Sequence, residues 1–147
     1  MKNPYVNLAV QSLVGGVIMY FVMFVMIDRL SSFYNNLNMF YMALMMVTPM
    51  VVLMIVAMPH MFPSKRANAA LLLGSAVVFV ASFALIRTQT TIGDTAFLRS
   101  MIPHHSGAIL MCREASLRDP ELKSLCDSII RSQQQEIDQM KGMLALQ

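Results

Sequence analysis

Two adjacent histidines bracketed by methionines are the residues of this chain best suited to chemistry. They are His104 and His105, two of three histidines in 147 residues, and they lie within the stretch MIPHHSGAILM at 101–111. Imidazole nitrogens and thioether sulfurs together favour Cu(I), with Ag(I) as its chemical stand-in, whereas Mg²⁺ and Ca²⁺ prefer oxygen ligands. The residue types and their spacing therefore predict a site for a soft metal ion.

Helical geometry brings more donors to the same place. At about 100° per residue, one arc of a first helix carries Met101, His104, His105, Ala108, Met111 and Cys112. One face of a second helix carries Leu122, Cys126, Ile129, Gln133, Ile137, Met140 and Leu144, with Glu136 beside it. Counting back from a turn near Asp119 aligns the two helices. The opposed positions are Cys112 with Cys126, His105 with Gln133, and Met101 with Ile137 and Met140.

Two predicted helices hold these donors. The polar stretch TQTTIG precedes Asp94, a short carboxylate that we expect to cap a helix running to about Leu117. Asp119 is expected to cap the next helix, because Pro120 is favoured at the first helical position. That helix should end near Leu144. The sequence thus predicts a helical hairpin over 94–147.

A two-helix hairpin has too small a core to be stable alone, and domains of this size usually need a metal, a disulfide or a partner. Two hairpins packed together would form a four-helix, ferritin-like bundle. We therefore expect a homo-oligomer, a dimer or larger. Within one chain the fold class is all-α.

Three apolar blocks precede the hairpin, at 8–27, 37–58 and 68–86, and none contains a charged residue or histidine. Hydrophobic residues make up 56% of the chain. A helix of roughly 20 residues spans the apolar core of a bilayer, so each block is long enough to cross. The sequence predicts a membrane domain at 1–90 with three transmembrane helices.

The charged residues of the connections predict how these helices are oriented. Cytoplasmic loops carry an excess of Lys and Arg. The positions are Lys2, Lys65 and Arg66 on one side and Arg29, Arg87 and Arg99 on the other. This small bias predicts a cytoplasmic amino terminus and a hairpin outside the cytoplasm. The net charge of +3 is dispersed, with no basic stripe, so we expect no nucleic acid partner.

The tail resembles a known bacterial family. The residues that carry the resemblance are Asp94, Phe97, Met101, Pro103, His104, His105, Ala108 and Met111, followed by Ile130, Gln133, Glu136, Ile137 and Met140. Over 94–147 they resemble domain of unknown function 305, whose CopM-like members are periplasmic or secreted helical-bundle proteins that bind copper and are linked to copper resistance. The resemblance implies copper ligands at Met101, His104, His105, Met111 and Met140, with Glu136 and Gln133 orienting the histidines.

The expected function is that of a membrane-anchored copper protein for sequestration, handling or resistance outside the cytoplasm. Its expected place is the bacterial inner membrane, with a periplasmic hairpin. The predicted metal site comprises Met101, His104, His105, Met111, Met140 and Glu136, and its ion is Cu(I), with Cu(II) and Ag(I) as further candidates. No enzyme motif such as a haem or nucleotide signature is present. The alternatives are a structural or oligomerisation module and a copper-dependent redox protein.

Two features leave alternatives open. Cys112 and Cys126 could form a disulfide across the hairpin, supply thiolate ligands, or be small buried residues. The chain also has 16 methionines. Seven recur at helical spacing through the second apolar block, at Met39, Met42, Met46, Met50, Met54, Met58 and Met61. They could form a ladder of soft ligands through the membrane or fill gaps between packed helices, and we favour packing.

Overall fold

A computed structural model describes residues 3–147, and it contains five α-helices and no strand in that range. Their bounds are Pro4–Val22 (α1), Leu37–Ala57 (α2), Lys65–Thr88 (α3), Asp94–Glu114 (α4) and Pro120–Ala145 (α5). Short 3₁₀ turns follow α1 at Met23–Met26 and Leu30–Ser32 and follow α2 at Pro59–Met61. The expected all-α class is confirmed. Lys2, used above for orientation, lies outside the described residues.

Three helical segments are long and apolar enough to cross a membrane, as expected. They are Pro4–Met26, Leu37–Ala57 and Lys65–Thr88, with mean hydropathy of 2.1, 2.3 and 2.5. Two begin earlier than predicted because polar side chains cap them. Asn3 Oδ1 accepts the Tyr5 amide at 3.0 Å, and Ser64 Oγ accepts the Ala67 amide at 3.2 Å. These caps satisfy backbone N–H groups at the helix starts.

The chain divides into two compact units. The three-helix unit comprises residues 3–22 together with Asn38–Thr91, and the hairpin unit comprises Met23–Leu37 and Ile92–Gln147. The segment 23–37, which the sequence analysis placed in the membrane domain, thus groups with the hairpin. We call this segment the strap.

The three-helix unit has a small core and a broad apolar surface. Leu8, Ile55 and Phe62 form its buried cluster. By contrast, the side chains of Leu13, Leu53 and Leu73 are 70%, 66% and 69% exposed, respectively. Such exposure would be costly in water. It is the arrangement expected of helices whose outer faces contact lipid.

The hairpin unit is packed around one interior face. Leu98, Ile102, Ile109, Ile137 and Met140 form its buried cluster. Ile102, Ile109 and Ile137 are the most deeply buried of these, each at most 2% exposed. Apolar residues at intervals of three, four and seven lie on one helical face, which explains why α4 and α5 pack along this stripe.

The helix ends of the hairpin unit agree with the sequence analysis in part. Asp119 caps α5, since its side chain accepts the Glu121 and Leu122 amides. The prediction that Asp94 caps α4 was wrong. Gly93 occupies the cap position with an extended backbone, and Asp94 lies in the first turn, where a carboxylate favours the positive end of the helix dipole.

The strap packs against α4. The Asp28 amide donates to Ser106 Oγ at 2.8 Å, and Arg113 Nη1 donates to both carboxylate oxygens of Asp28 at 2.6 and 2.8 Å. A Cβ atom at Gly107 would lie 3.4 Å from the carbonyl oxygen of Met26. Tyr34 of the strap also packs against the buried cluster of the hairpin, so the strap adds both polar and apolar contacts to the two helices.

Candidate metal centre

His105 is held at the interface between α4 and α5. Its side chain is 9% exposed. Nδ1 lies 2.9 Å from the carbonyl oxygen of Met101, one turn earlier, and Nε2 lies 2.7 Å from Oε2 of Glu136. Both ring nitrogens thus have hydrogen-bond partners, and the ring orientation is fixed by two helices at once.

The contact with Met101 leaves Nε2 as the nitrogen available to a metal ion. The Met101 carbonyl only accepts, so Nδ1 of His105 carries a hydrogen. Nε2 faces Glu136 Oε2 at hydrogen-bond distance. A metal ion at Nε2 would have to displace Glu136 from this contact.

The backbone register explains why Glu136 is the partner. The alignment predicted from the turn sets His105 level with Gln133, one helical turn before Glu136. Side chains lean toward the amino-terminal end of their own helix. In antiparallel helices the two side chains therefore lean toward each other, so Glu136 reaches the level of His105. The carboxylate that the resemblance implied as an orienting group is in a position to orient His105.

His104 lies on a different face from His105. It is exposed, and its ring centroid is 6.0 Å from that of His105, with the planes inclined at 65°. Neighbouring helical residues point about 100° apart, so only one of the pair can face α5. The inward residue is His105.

The predicted methionine ligands also divide between the interior and the surface. Met140 is buried in the apolar cluster, and the partly buried Met101 packs against that cluster. Met111, in contrast, is 54% exposed. The structure therefore brings Met101, His105, Glu136 and Met140 to the interhelical face and leaves His104 and Met111 outside it.

Within residues 3–147, no three side chains of the His, Cys, Asp and Glu types are grouped so that they could hold a metal ion. The six predicted site residues accordingly do not form a ready-made centre in one chain. The interior donors are two thioethers and one imidazole–carboxylate pair. Thioethers and imidazole are the soft donors that suit Cu(I).

Cys112 and Cys126 form a disulfide that ties α4 to α5. Their Cα atoms are 5.2 Å apart, and 14 positions separate them in sequence. Of the three alternatives left open by the sequence, the structure has the disulfide. The bridge fixes the register that sets His105 near Glu136, and it removes the thiolates from the set of possible ligands.

The methionines of α2 occupy different environments. Met54 and Met58 pack against the buried cluster of the three-helix unit, and the Met50 methyl group would lie 3.6 Å from a Cβ atom at Gly15. Met46 is 48% exposed. Packing thus accounts for Met50, Met54 and Met58, toward the carboxyl-terminal end of α2.

The strap contacts were missed by the sequence analysis. Asp28 and Arg113 lie 85 positions apart, and Asp28 and Ser106 lie 78 apart. Nothing local in the sequence signals such pairs. The one available signal was the pair Asp28-Arg29, two charged residues directly after the first apolar block.

Comparison with known proteins places the chain in a family. Residues 81–144 match the model described as Domain of unknown function (DUF305). An uncharacterized protein of Acanthamoeba polyphaga mimivirus is 41% identical over 112 residues, which cover 74% of this chain and 71% of the viral protein. The chain belongs to the same family as this viral protein.

The DUF305 match covers the end of α3, all of α4 and most of α5. All six predicted site residues lie inside it. The family description carries no function, and nothing in the comparisons points to copper or to the bacterial inner membrane expected in the sequence analysis. No solved structure matches the chain.

Proposed function

We propose that the chain is a membrane protein whose hairpin unit binds Cu(I), or Ag(I) in its place, for sequestration or handling of the ion. The observation that carries the proposal is the His105–Glu136 pair, held between α4 and α5 with thioethers from both helices. Cu(II) is a further candidate ion for this site, since imidazole also binds it. The role proposed is binding and not catalysis.

Copper binding at Nε2 of His105 is expected to displace Glu136 from the imidazole. The nitrogen–oxygen distance of 2.7 Å is too short for an ion between the two atoms, since metal–nitrogen bonds alone are about 2.0 Å long. Glu136 must therefore move when copper binds. Its side chain is 50% exposed, so it has room to move, whereas His105 is fixed.

The remaining donors support a homo-oligomer. Phe97, His104 and Met111 recur every seven residues along α4, and Phe97 and Met111 are 50% and 54% exposed. On α5 the residues with the same spacing are Leu122, Ile129, Glu136 and Met143. Apart from His104 and Glu136 these residues are apolar, and helices that pack against further helices often repeat their contact residues every seven positions. We propose that two hairpins pack here as a four-helix bundle, so that His104 and Met111 face the partner chain.

The proposed topology is three membrane crossings with the hairpin unit in an oxidising compartment outside the cytoplasm. Two crossings separate Asp28 from Arg113, which puts them on the same side, and their side chains are in contact. Disulfides persist in oxidising compartments, so the Cys112–Cys126 bridge supports that side. Protease treatment of sealed vesicles should cleave the hairpin only from this side.

Copper content decides the proposal. Detergent-purified wild-type chain would be loaded with Cu(I) under ascorbate, which keeps copper reduced and leaves the disulfide intact, then washed and measured by mass spectrometry. We expect tightly held copper in the wild type, little in a His104→Ala/His105→Ala variant, and wild-type content in a His60→Ala control. Equal copper in all three chains would refute the proposal.

A structural or oligomerisation module is the second candidate, favoured by the exposed seven-residue repeat. It predicts that the His104→Ala/His105→Ala variant keeps the same oligomeric state and the same metal content as the wild type. Measurement of mass by light scattering, alongside the copper measurement, separates the two functions.

A further inference from the structure

Three arginines line one depression on the surface of the hairpin unit. Arg29 comes from the strap, Arg113 from α4 and Arg131 from α5. The depression has a volume of about 670 Å³, and the amide side chains of Gln134 and Gln135 share its wall. Three separate segments of the chain thus bring guanidinium groups to one surface.

The α5 side of this depression follows from helical spacing. Arg131, Gln134, Gln135 and Asp138 recur at intervals of three, four and seven residues, so they share one face of α5. Glu136 is about 140° around the helix from Arg131. The depression is therefore separate from the candidate copper site and from the seven-residue repeat that includes Glu136.

Asp28 holds two of the three arginines in place. Its side chain is 9% exposed. Its carboxylate accepts from Arg113 Nη1 at 2.6 and 2.8 Å and lies 3.4 Å from Arg29 Nε. A guanidinium group has five N–H donors, so these contacts leave further N–H groups of both arginines for a ligand. Two of the donors are positioned before a ligand binds.

The positive charge of the depression is only partly compensated. The Arg131 side chain has no ion-pair or hydrogen-bond partner among residues 3–147. Asp138, which also lines the depression, accepts a hydrogen bond from the neutral amide of Gln134 at 3.1 Å. Together with Asp28, it gives two carboxylates for three guanidinium groups. One positive charge is in excess, which favours an anionic ligand.

Arg29 lies close to the end of a membrane-spanning segment. The apolar segment Pro4–Met26 ends three residues before it, and three residues extend at most about 11 Å. In the proposed topology, Arg29 is therefore within reach of the lipid headgroups. The anion nearest to this depression is the phosphate group of a lipid.

We propose that this depression binds a phosphate group, supplied by an anionic lipid at the membrane surface. Arginine pairs with phosphate through two parallel N–H···O bonds. A phosphate group presents oxygens in several directions, which suits guanidinium groups that come from three segments, whereas a planar carboxylate presents both oxygens along one edge. The Gln134 and Gln135 amides add neutral donors.

Native mass spectrometry of the detergent-purified full chain tests the proposal. The chain is incubated with equal amounts of phosphatidylglycerol and phosphatidylcholine that have the same acyl chains. Because the choline cation of the second lipid would approach three arginines, we expect about tenfold more chains to retain phosphatidylglycerol. Equal retention of the two lipids would overturn the proposal.

Two variants identify the residues responsible. Arg131→Gln and Arg29→Gln change exposed side chains, and each should reduce retained phosphatidylglycerol to the phosphatidylcholine level. Arg118→Gln removes the same charge outside the depression and should retain the wild-type amount. An equal loss in all three variants would show attraction by net charge alone, and it would overturn the proposal. Circular dichroism checks that each variant folds.

Inorganic phosphate distinguishes a lipid headgroup from a soluble ion. Millimolar phosphate should leave phosphatidylglycerol bound, because the acyl chains contribute to the affinity of the lipid alone. Displacement of the lipid would identify soluble phosphate as the ligand and overturn a lipid site. The depression uses none of the predicted copper ligands, so the His104→Ala/His105→Ala variant should retain the lipid whatever the outcome of the copper measurement.

Discussion

His105 and Glu136 meet across the hairpin at 2.7 Å with unequal exposure, 9% for the imidazole side chain and 50% for the carboxylate side chain. The imidazole is fixed by a second contact to the Met101 carbonyl. The Glu136 carboxylate lies at the surface and has no comparable second contact among residues 3–147 to hold it in the interior. One partner of the pair is therefore rigid and the other is movable.

Removal of the movable partner should have a modest effect on stability. We expect Glu136→Ala to lower the free energy of unfolding of the hairpin by about 1 kcal/mol, because a hydrogen bond to a charged group is lost but half of the carboxylate is already in solvent. Chemical denaturation followed by circular dichroism measures the change. Gln135→Ala, at the exposed neighbouring position, is the control and should leave stability unchanged. A loss equal in both variants would mean that the contact contributes nothing.

The disulfide should be a larger source of stability. It closes a loop with a sequence separation of 14, and the chain-entropy model gives about 3 kcal/mol for a loop of this size. We expect Cys112→Ser/Cys126→Ser to lose roughly that amount. Alkylation followed by intact-mass measurement checks the bridge itself, with two adducts per chain expected only after reduction. Adducts without reduction would show free thiols.

The ion pair between the strap and α4 should protect the strap from proteolysis. The Asp28 side chain is 9% exposed, so Arg113→Gln leaves a buried carboxylate without its main partner, at a cost of about 2 kcal/mol. We expect faster trypsin cleavage after Arg29. Arg118→Gln, at an exposed position near the hairpin turn, should show the wild-type rate. Equal cleavage rates in the two variants would show that the ion pair does not protect the strap.

Two glycines of the hairpin should respond in opposite directions. A Cβ atom added at Gly107 would lie 3.4 Å from the carbonyl oxygen of Met26. A Cβ atom added at Gly142 would meet nothing within 4 Å. Gly107→Val should therefore destabilise the hairpin unit. Gly142→Ala should stabilise it by about 0.8 kcal/mol, the difference in helix propensity. Thermal unfolding of the two variants measures both effects, and the same sign for both would contradict the close approach of the strap.

The exposed repeat of seven predicts where chains associate. Met111→Glu places a charge in the proposed interface, and we expect it to convert the dimer to a monomer in detergent, as measured by light scattering. Arg131→Glu, in a surface depression shared with Arg29 of the strap and Arg113, is the matched control and should remain dimeric. A monomeric wild type would refute the proposed bundle.

The fold was largely predictable because its strongest signals are local. Apolar length alone identified three of the helices, and the Asp119-Pro120 pair located the start of α5 to the residue. Helix starts were missed where a polar cap stands outside the apolar block, as Asn3 and Ser64 do. Asp94 was misassigned because a carboxylate is favourable both as a cap and in the first turn.

The interior of the candidate site was predictable from register, since one turn and one period fix which residues oppose each other. The Cys112–Cys126 bridge follows from that count, as does the packing of Met101 against the cluster that contains Ile137 and Met140. The opposite orientations of His104 and His105 follow from helical geometry, but which of them faces inward depends on small rotations of the helix. The strap was not predictable, because its contacts link residues far apart in the chain and carry no periodic pattern.

The strap also constrains the order of events during synthesis. Asp28 leaves the ribosome long before Arg113, with two of the long apolar helices translated between them, so the strap must wait for its partner. An expressed fragment that begins at α4 would lack the strap altogether and would leave Ser106 and Gly107 uncovered. The shortest fragment that retains the native hairpin surface therefore supplies residues 23–37 as well, as a fused segment or an added peptide.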